Sequence, residues 1–456
     1  MHIESGYRIR NMQSPVEFSV RRLQRLFLYI AIVLMPFQDT ILGRSPLGYV
    51  GSNLSSIPMM IHGMLGFFVW LRQGRLTISL RNLSTWLYVL LISMVYLIAW
   101  GPVSHGGSVV YKALSGAIVV FLWVYTVFFV NYAPSRGLRR ATYIAFAILI
   151  IGVVISDANI PGLDGLSQSQ FLHITPIQGY ARWRGFSNEP SIFSATVVSL
   201  GIVAAYLSMH KTTRNLIIAL ALLLLIFSQS KGGLLVFAIS GVVYLLIKRP
   251  NFIRLVAYTV LGGVAAVPLA YLLIQQESAL DLSQGSITFA TRISMGIWAF
   301  IVVAHHPFGV GLSGFFEAIR IYLPTAMDYV DRISPIALNF AEVQEYVNGN
   351  MLLVPLDAKC FFLEYVAMFG MPFIIAYCRF SWLVLKALLQ RRQELLAVGF
   401  IFLLIAMSTY VNGLTLYAGF YLAGTCYRQR LLFAVINLKK SQAEANLNLQ
   451  RLSIGV

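Results

Sequence analysis

Apolar residues in this chain gather into long runs separated by polar breaks. That is the pattern of helices crossing a bilayer, each needing about 20 mostly apolar residues. Runs near 26–43, 54–71, 85–101, 109–132, 141–156, 190–209, 213–229, 232–247, 253–274, 359–385, 395–411 and 413–433 predict about 12 transmembrane helices. Two stretches between them, 157–189 and 275–357, are long enough to form substantial loops. Within the larger one, residues 287–304 (ITFATRISMGIWAFIVVA) form a further apolar run interrupted by Arg292. Too few clean residues remain there for a crossing, so this segment is read as an interfacial or partly re-entrant helix. From 434 to 456 the chain turns polar, with Lys439 and Lys440, and is expected to be a tail, either amphipathic helix or disordered. No internal repeat is visible. The expected fold is an all-α polytopic membrane protein in which residues 1–456 form a single integral membrane domain.

Composition agrees with this pattern. The chain is 58% hydrophobic and only 11% charged, whereas soluble domains carry about 25% charged residues, so an ordinary water-soluble enzyme is excluded. The net charge of +17 would suggest nucleic acid in a soluble protein. Here the cations follow topology instead. With the N-terminus and its Arg8, Arg10, Arg21, Arg22 and Arg25 in the cytoplasm, 24 of the 34 Lys and Arg fall on cytoplasmic segments. Of the 17 acids, 13 fall outside or at the outer edge. This is the positive-inside asymmetry; it puts both termini in the cytoplasm and removes the argument for nucleic acid. No small-residue cleavage site follows the first run, which is read as an uncleaved anchor. Cys360, Cys378 and Cys426 lack disulfide or zinc-ligand spacing and read as small core residues.

The chemistry is expected where cations break the topological rule. Arg182 and Arg184 precede the run that begins at Pro190, Lys231 opens the run after SQS, and Lys359 opens the run after LDA. A helix N-terminus already carries about half a positive charge and free N–H groups. Adding a cation there is unfavourable unless an anion arrives, so three such coincidences point to a shared anionic ligand on the outer face. Asn188 or Glu189 can cap the helix, with Pro190 preset at its first position. Gly232 and Gly233 leave the backbone open to close approach. Taken singly, Arg184 with Glu189 and Lys359 with Asp357 also fit ordinary interfacial ion pairs, and Tyr180, Trp183 and Trp298 fit either sugar stacking or an aromatic belt. His305 and His306 have no partner at metal-ligand spacing.

These stretches resemble the O-antigen polymerase/ligase superfamily, the polytopic glycosyltransferases of surface polysaccharide assembly. An Arg-rich stretch followed by Gly and Glu-Pro reads here as Arg182-Trp183-Arg184-Gly185-Phe186-Ser187-Asn188-Glu189-Pro190. A Ser-Lys-Gly turn is Ser230-Lys231-Gly232-Gly233. An arginine, a tryptophan helix and a His-Pro-x-Gly-x-Gly turn are Arg292, Trp298 and His306-Pro307-Phe308-Gly309-Val310-Gly311. A polar pair leading through an aromatic stretch to glycine is Lys359-Cys360-Phe361-Phe362-Leu363 to Gly370. Ligases of the family usually place His-Asn where Lys359-Cys360 stands, and lysine there is more similar to the polymerases.

The resemblance implies a fold similar to GT-C-type glycosyltransferases, in the bacterial inner membrane with the active site facing the periplasm. It implies that undecaprenyl-diphosphate-linked oligosaccharides serve as donor and acceptor, and that the glycosyl transfer needs no metal and no cofactor. The protein partners it suggests are a chain-length regulator and a flippase. On this reading Arg182, Arg184, Lys231 and Arg292 hold the diphosphate, joined by Lys359. Glu189 is the first candidate for the base, with Asp357 and His306 as further candidates for base or support. The alternatives are a ligase that moves finished polysaccharide to lipid A core, and a flippase or transporter of lipid-linked sugars. A transporter should carry charged or broken helices near mid-membrane, whereas most charges here stay at the outer edge.

Overall fold

The computed structural model describes residues 15–38, 40, 53–73, 80–100, 133, 135–156, 183–187, 189–248, 279–334, 338–348, 360–411 and 417–454. Their secondary structure is helical: α1 (Pro15–Val33), α2 (Ser56–Gln73), α3 (Leu80–Trp100), α4 (Ser135–Ser156), α5 (Pro190–Leu207), α6 (Lys211–Phe227), α7 (Lys231–Lys248), α8 (Ala279–His305), α9 (Gly311–Ile333), α10 (Ala341–Asn348), α11 (Phe361–Gln390), α12 (Glu394–Thr409) and α13 (Tyr417–Ile454). The expected runs 109–132 and 253–274 lie outside the described residues.

Helix α5 is the centre of the bundle. It is apolar on every side, and 14 of its 18 residues are buried, as befits a helix enclosed by others. Its neighbours are α4, α6, α7, α12 and α13, and α1 packs on α2 and α4. Around this core the outer surface is greasy: Met64, Phe67 and Phe68 on α2, Leu90, Leu91, Met94 and Ile98 on α3, and Leu222, Leu223 and Ile226 on α6 are exposed. Apolar surface on this scale suits contact with lipid. Among the described residues, four helices are long and apolar enough to cross a membrane: Ser135–Ile155, Pro190–Leu207, Lys231–Lys248 and Phe361–Gln390. The apolar parts of the helices at Ser56–Val69, Leu87–Trp100, Ala290–His305 and Glu394–Thr409 are shorter.

Several boundaries differ from the sequence expectation. The first run was expected over 26–43, but α1 spans Pro15–Val33 and breaks in a turn at residues 34–36. Arginine is a good helix former, so Arg21, Arg22 and Arg25 extend the helix backwards. Pro36 disfavours the helical conformation of its predecessor and ends it. The polar tail continues α13 as one helix to Ile454, 38 residues in all. The 275–357 stretch holds not one helix but three. α8 packs against α9, α10 and α11, with Met295, Trp298, Ala299 and Val302 fully buried, so it is an integral part of the packed bundle. α9 is amphipathic, burying Phe315, Phe316, Ile319 and Leu323 while Arg320, Ile321 and Tyr329 face outward.

Helix α11 is two helices. Gly370 sits inside it at φ 60°, ψ −150°, a region that only glycine enters readily. Phe362 lies 5.1 Å from Tyr377, ring to ring, and Tyr365 lies 5.7 Å from Phe373. In a straight helix residues 15 apart would be separated by about 22 Å. The arm 361–369 is therefore folded back along 371–390, which alone has the length of one crossing.

The fold-back is locked by the His-Pro-x-Gly-x-Gly turn. A Cβ on Gly370 would lie 2.1 Å from Pro307 O, and one on Gly309 (φ 79°) would lie 2.3 Å from Met368 O. Across the same joint Val310 N donates to Ala367 O (3.1 Å), Met371 N to Pro307 O (2.8 Å) and Tyr88 Oη to Phe369 O (2.9 Å). A Cβ on Gly311 (φ 67°) would lie 2.6 Å from Ser93 Cα on α3.

Candidate functional site

Turns and loop contacts gather the helix ends. Phe186 O accepts from Gln38 N (3.0 Å), tying the chain after α1 to the loop before α5. Trp183 stacks on Phe227 at 4.4 Å, tying that loop to the end of α6. Gln229, at φ 47°, ends α6 in the left-handed conformation, and the chain enters α7 at Lys231. The C-terminal ends of α1, α6 and α12 thus share one end of the bundle with the N-terminal ends of α5, α7 and α11. The opposite end carries the Lys248–Glu394 ion pair between α7 and α12, and Arg391 Nη1 donating to Gln429 O (3.2 Å).

The N-terminal turns of α5 and α7 touch directly. Ser194 Oγ and Ser230 Oγ are 3.2 Å apart, and Ser230 Oγ accepts from Gly233 N (3.1 Å). A Cβ on Gly233 would lie 2.3 Å from Ser194 Oγ and 2.7 Å from Ser194 Cβ, so glycine is what lets the two helices meet. Gly233→Ala is expected to force α5 and α7 apart and lower thermal stability by roughly 1–3 kcal/mol, the usual cost of overpacking. Gly241→Ala, on the same helix but facing open space, is the control and should melt at or above wild type.

Tyr410, at the end of α12, covers Gly232: its ring atoms lie 3.5 Å from where that residue's Cβ would be. The arm of α11 closes this side, with Phe361 N donating to Val411 O (2.9 Å) and Cys360 Sγ to Met407 O (3.2 Å). The Arg292 guanidinium, on α8, is near enough to act electrostatically on both Tyr410 and Cys360.

Of the residues singled out from sequence, Arg184, Glu189, Lys231 and Arg292 are described, while Arg182, Asp357 and Lys359 lie outside the described residues. Arg184 is buried, in a loop whose turn uses Gly185 at φ 54° against the Phe193 ring. Lys231 is exposed at the first position of α7, and Arg292 is half-buried. Glu189 occupies the N-cap position of α5 with Pro190 following, as expected, but its side chain does not cap the helix. Its carboxylate accepts instead from Ser191 Oγ (3.0 Å) and is exposed.

His306 is placed elsewhere. It follows the last residue of α8, and 14 residues of helix separate it from Arg292 by about 21 Å. Its Nδ1 is 2.7 Å from Tyr96 Oη and its Nε2 2.8 Å from Tyr322 Oη, inside a box completed by Trp100. Burial, with the neighbouring His305 adding to it, holds the imidazole below its ordinary value. The folded protein therefore takes up this proton less readily than the unfolded chain. Stability from this group is complete above the ordinary histidine value of about 6.5 and is lost as pH falls below it. In detergent, the melting temperature of wild type should drop between about pH 7.5 and 5.5, and His306→Gln should lose less. An equal drop in both would remove His306 as the cause.

Two residues here were not singled out from sequence. Glu364, in the first turn of the arm, is 4% exposed; a carboxylate inside an apolar run was the available signal. Tyr410 looked like any aromatic near a membrane edge, and nothing local distinguished it.

Residues 216–337 match the family model described as O-antigen ligase. The matched segment contains Ser230, Lys231, Gly233, Arg292 and the His-Pro-x-Gly-x-Gly turn, but neither the Arg182–Pro190 stretch nor the arm of α11. No curated protein matches the chain. Over this segment, about a quarter of the chain, the protein is similar to the O-antigen ligase family, and the match does not distinguish polymerase from ligase.

Proposed function

We propose that this protein is a polysaccharide polymerase joining repeat units carried on undecaprenyl diphosphate. The observation that carries the reading is the convergence at one end of the bundle. Three helix N-termini, those of α5, α7 and α11, meet there with Arg184, Lys231 and Arg292. Arg182 and Lys359 flank the same helix starts in sequence. A diphosphate leaving group is a stable anion that needs neutralisation more than it needs a proton, and fixed cations beside helix N-termini supply that. Arginine offers a planar fork to phosphate oxygens and lysine a compact charge.

In the proposed reaction a terminal sugar hydroxyl of the acceptor attacks the anomeric carbon of the donor glycan. The bond to undecaprenyl diphosphate breaks, its electrons leave with the diphosphate, and a base takes the hydroxyl proton. Glu189 is exposed at the edge of this site and suits the base; Asp357 adjoins the start of the arm in sequence. His306, about 21 Å along α8 from Arg292, is assigned to the glycine joint instead. The site is taken to face the periplasm of the inner membrane, because the sequence-derived topology puts the excess Lys and Arg at the other end. A chain-length regulator and a flippase remain the proposed protein partners.

The ligase reading is favoured by the description of the matched family, and its chemistry differs only in the acceptor. Extension of a defined lipid-linked repeat unit by purified protein, with and without chelator, tests the proposal. Products of increasing length in both conditions are expected, and none in either would overturn it. A deletion strain separates the two readings: single repeats accumulate without a polymerase, and long lipid-linked chains accumulate without a ligase.

A further inference from the structure

Three buried hydroxyls lie together at this end of the bundle. Ser194 lies on α5, Ser230 before α7 and Tyr410 after α12, and all three are buried. Ser194 Oγ donates to Ser191 O (2.7 Å) and lies 3.2 Å from Ser230 Oγ, so both serines have partners. Tyr410 does not. It is 6% exposed, and its hydroxyl lies near Ser194 without hydrogen-bond geometry to any described residue.

A buried hydroxyl without a partner costs about 1–3 kcal/mol, and such groups are uncommon in native proteins. The ring position is well explained by packing on Gly232; phenylalanine would pack there equally well. The hydroxyl is what packing leaves unexplained. It sits within the field of Arg292, between helix N-termini, in a place that favours an arriving anion.

We infer that Tyr410 is a ligand-binding residue whose hydroxyl donates a hydrogen bond to an anionic phosphate oxygen held between the α5 and α7 N-termini. This rests on the proposed function, which supplies the lipid diphosphate, and it adds a neutral donor to the cationic set. A neutral donor neither repels Arg292 nor competes for the same charge, and hydrogen bonds to an ionised acceptor are the stronger kind.

Tyr410→Phe removes the hydroxyl and keeps the ring. Without ligand, the purified variant should melt at or above wild type, because an unpartnered polar group has been deleted from the interior. Binding of undecaprenyl diphosphate, read as the shift of melting temperature with concentration, should weaken by roughly tenfold or more. Inorganic pyrophosphate should show the same difference if the headgroup alone is recognised; a difference confined to the lipid form assigns the contact to lipid-bound diphosphate. Tyr421→Phe is the control, since that hydroxyl pairs with Thr142 Oγ1 at 2.7 Å. It should cost stability and leave binding unchanged.

A Tyr410→Phe protein that melts lower without ligand would show a structural partner and overturn the inference. So would equal affinity of variant and wild type, which leaves the proposed function standing. If wild type itself is not stabilised by undecaprenyl diphosphate, the diphosphate site fails and this inference fails with it.

Discussion

Alanine in place of Arg292 is expected to slow extension of a lipid-linked repeat unit by roughly 10²–10³-fold, the loss typical of removing one preorganised donor from a developing oxyanion. The protein should remain at near wild-type level in the membrane. Helix α8 is held by Met295, Trp298, Ala299 and Val302, and Trp298 Nε1 also donates to Ala318 O at 2.9 Å. None of these depends on the half-buried guanidinium one turn earlier. Lysine should recover part of the rate, because it restores charge but not the planar fork. Normal-length polymer from an abundant Arg292→Ala protein would end the assignment of this arginine to the leaving group.

A larger effect on folding is expected at Gly370. Its backbone lies in a region nearly closed to other residues, and an added Cβ would press on Pro307 O at 2.1 Å and Gly309 N at 2.6 Å. Both obstacles are main chain and neither can rotate away. Gly370→Ala should therefore open the joint between the arm of α11 and the turn after α8. A cost of about 3 kcal/mol or more is expected from backbone strain and overpacking together, enough to lower steady-state abundance several-fold. Size-exclusion profiles of the detergent-extracted variant, beside Gly241→Ala as control, would measure it. A wild-type profile for Gly370→Ala would mean the joint is not rigid.

The difference between what could be read from the chain and what could not follows the range of the interactions. Helix starts at Pro190 and Lys231 were legible because proline, glycine and charge mark them locally. Helix α9 was not legible as an element: Glu317 and Arg320, paired through Nε at 2.9 Å, made its sequence read as loop. Nor was the fold-back at Gly370, because a glycine inside an apolar run looks the same whether its φ is negative or +60°. What fixes it is main chain 63 and 61 residues away, at Pro307 and Gly309.

The same distance dependence holds for the site. Arg184 and Lys231 stood out as cations beside helix starts, each by its own neighbours, whereas Arg292 entered only through the family resemblance. Tyr410 did not stand out, because its significance comes from Ser194, Gly232 and Arg292, none close to it in sequence. The surroundings of His306 were hidden for a related reason. A histidine beside an arginine motif invites a chemical role, yet the length of α8 carries it to the glycine joint.

That joint also sets how the rim of the site can move. The arm from 361 to 369 is about 14 Å long, a short lever whose fulcrum is the meeting of three glycines. A swing of about 10° there would displace Cys360 by about 2 Å at the far end, by the geometry of a rigid rod of that length. With Gly311 seated on Ser93 and Gly309 on Met368, the fulcrum has no slack of its own. Any such swing has to take α3 and the turn after α8 along as a single rocker, so the end of the arm held at Met407 O and Val411 O shifts in step with parts of the protein that never touch it.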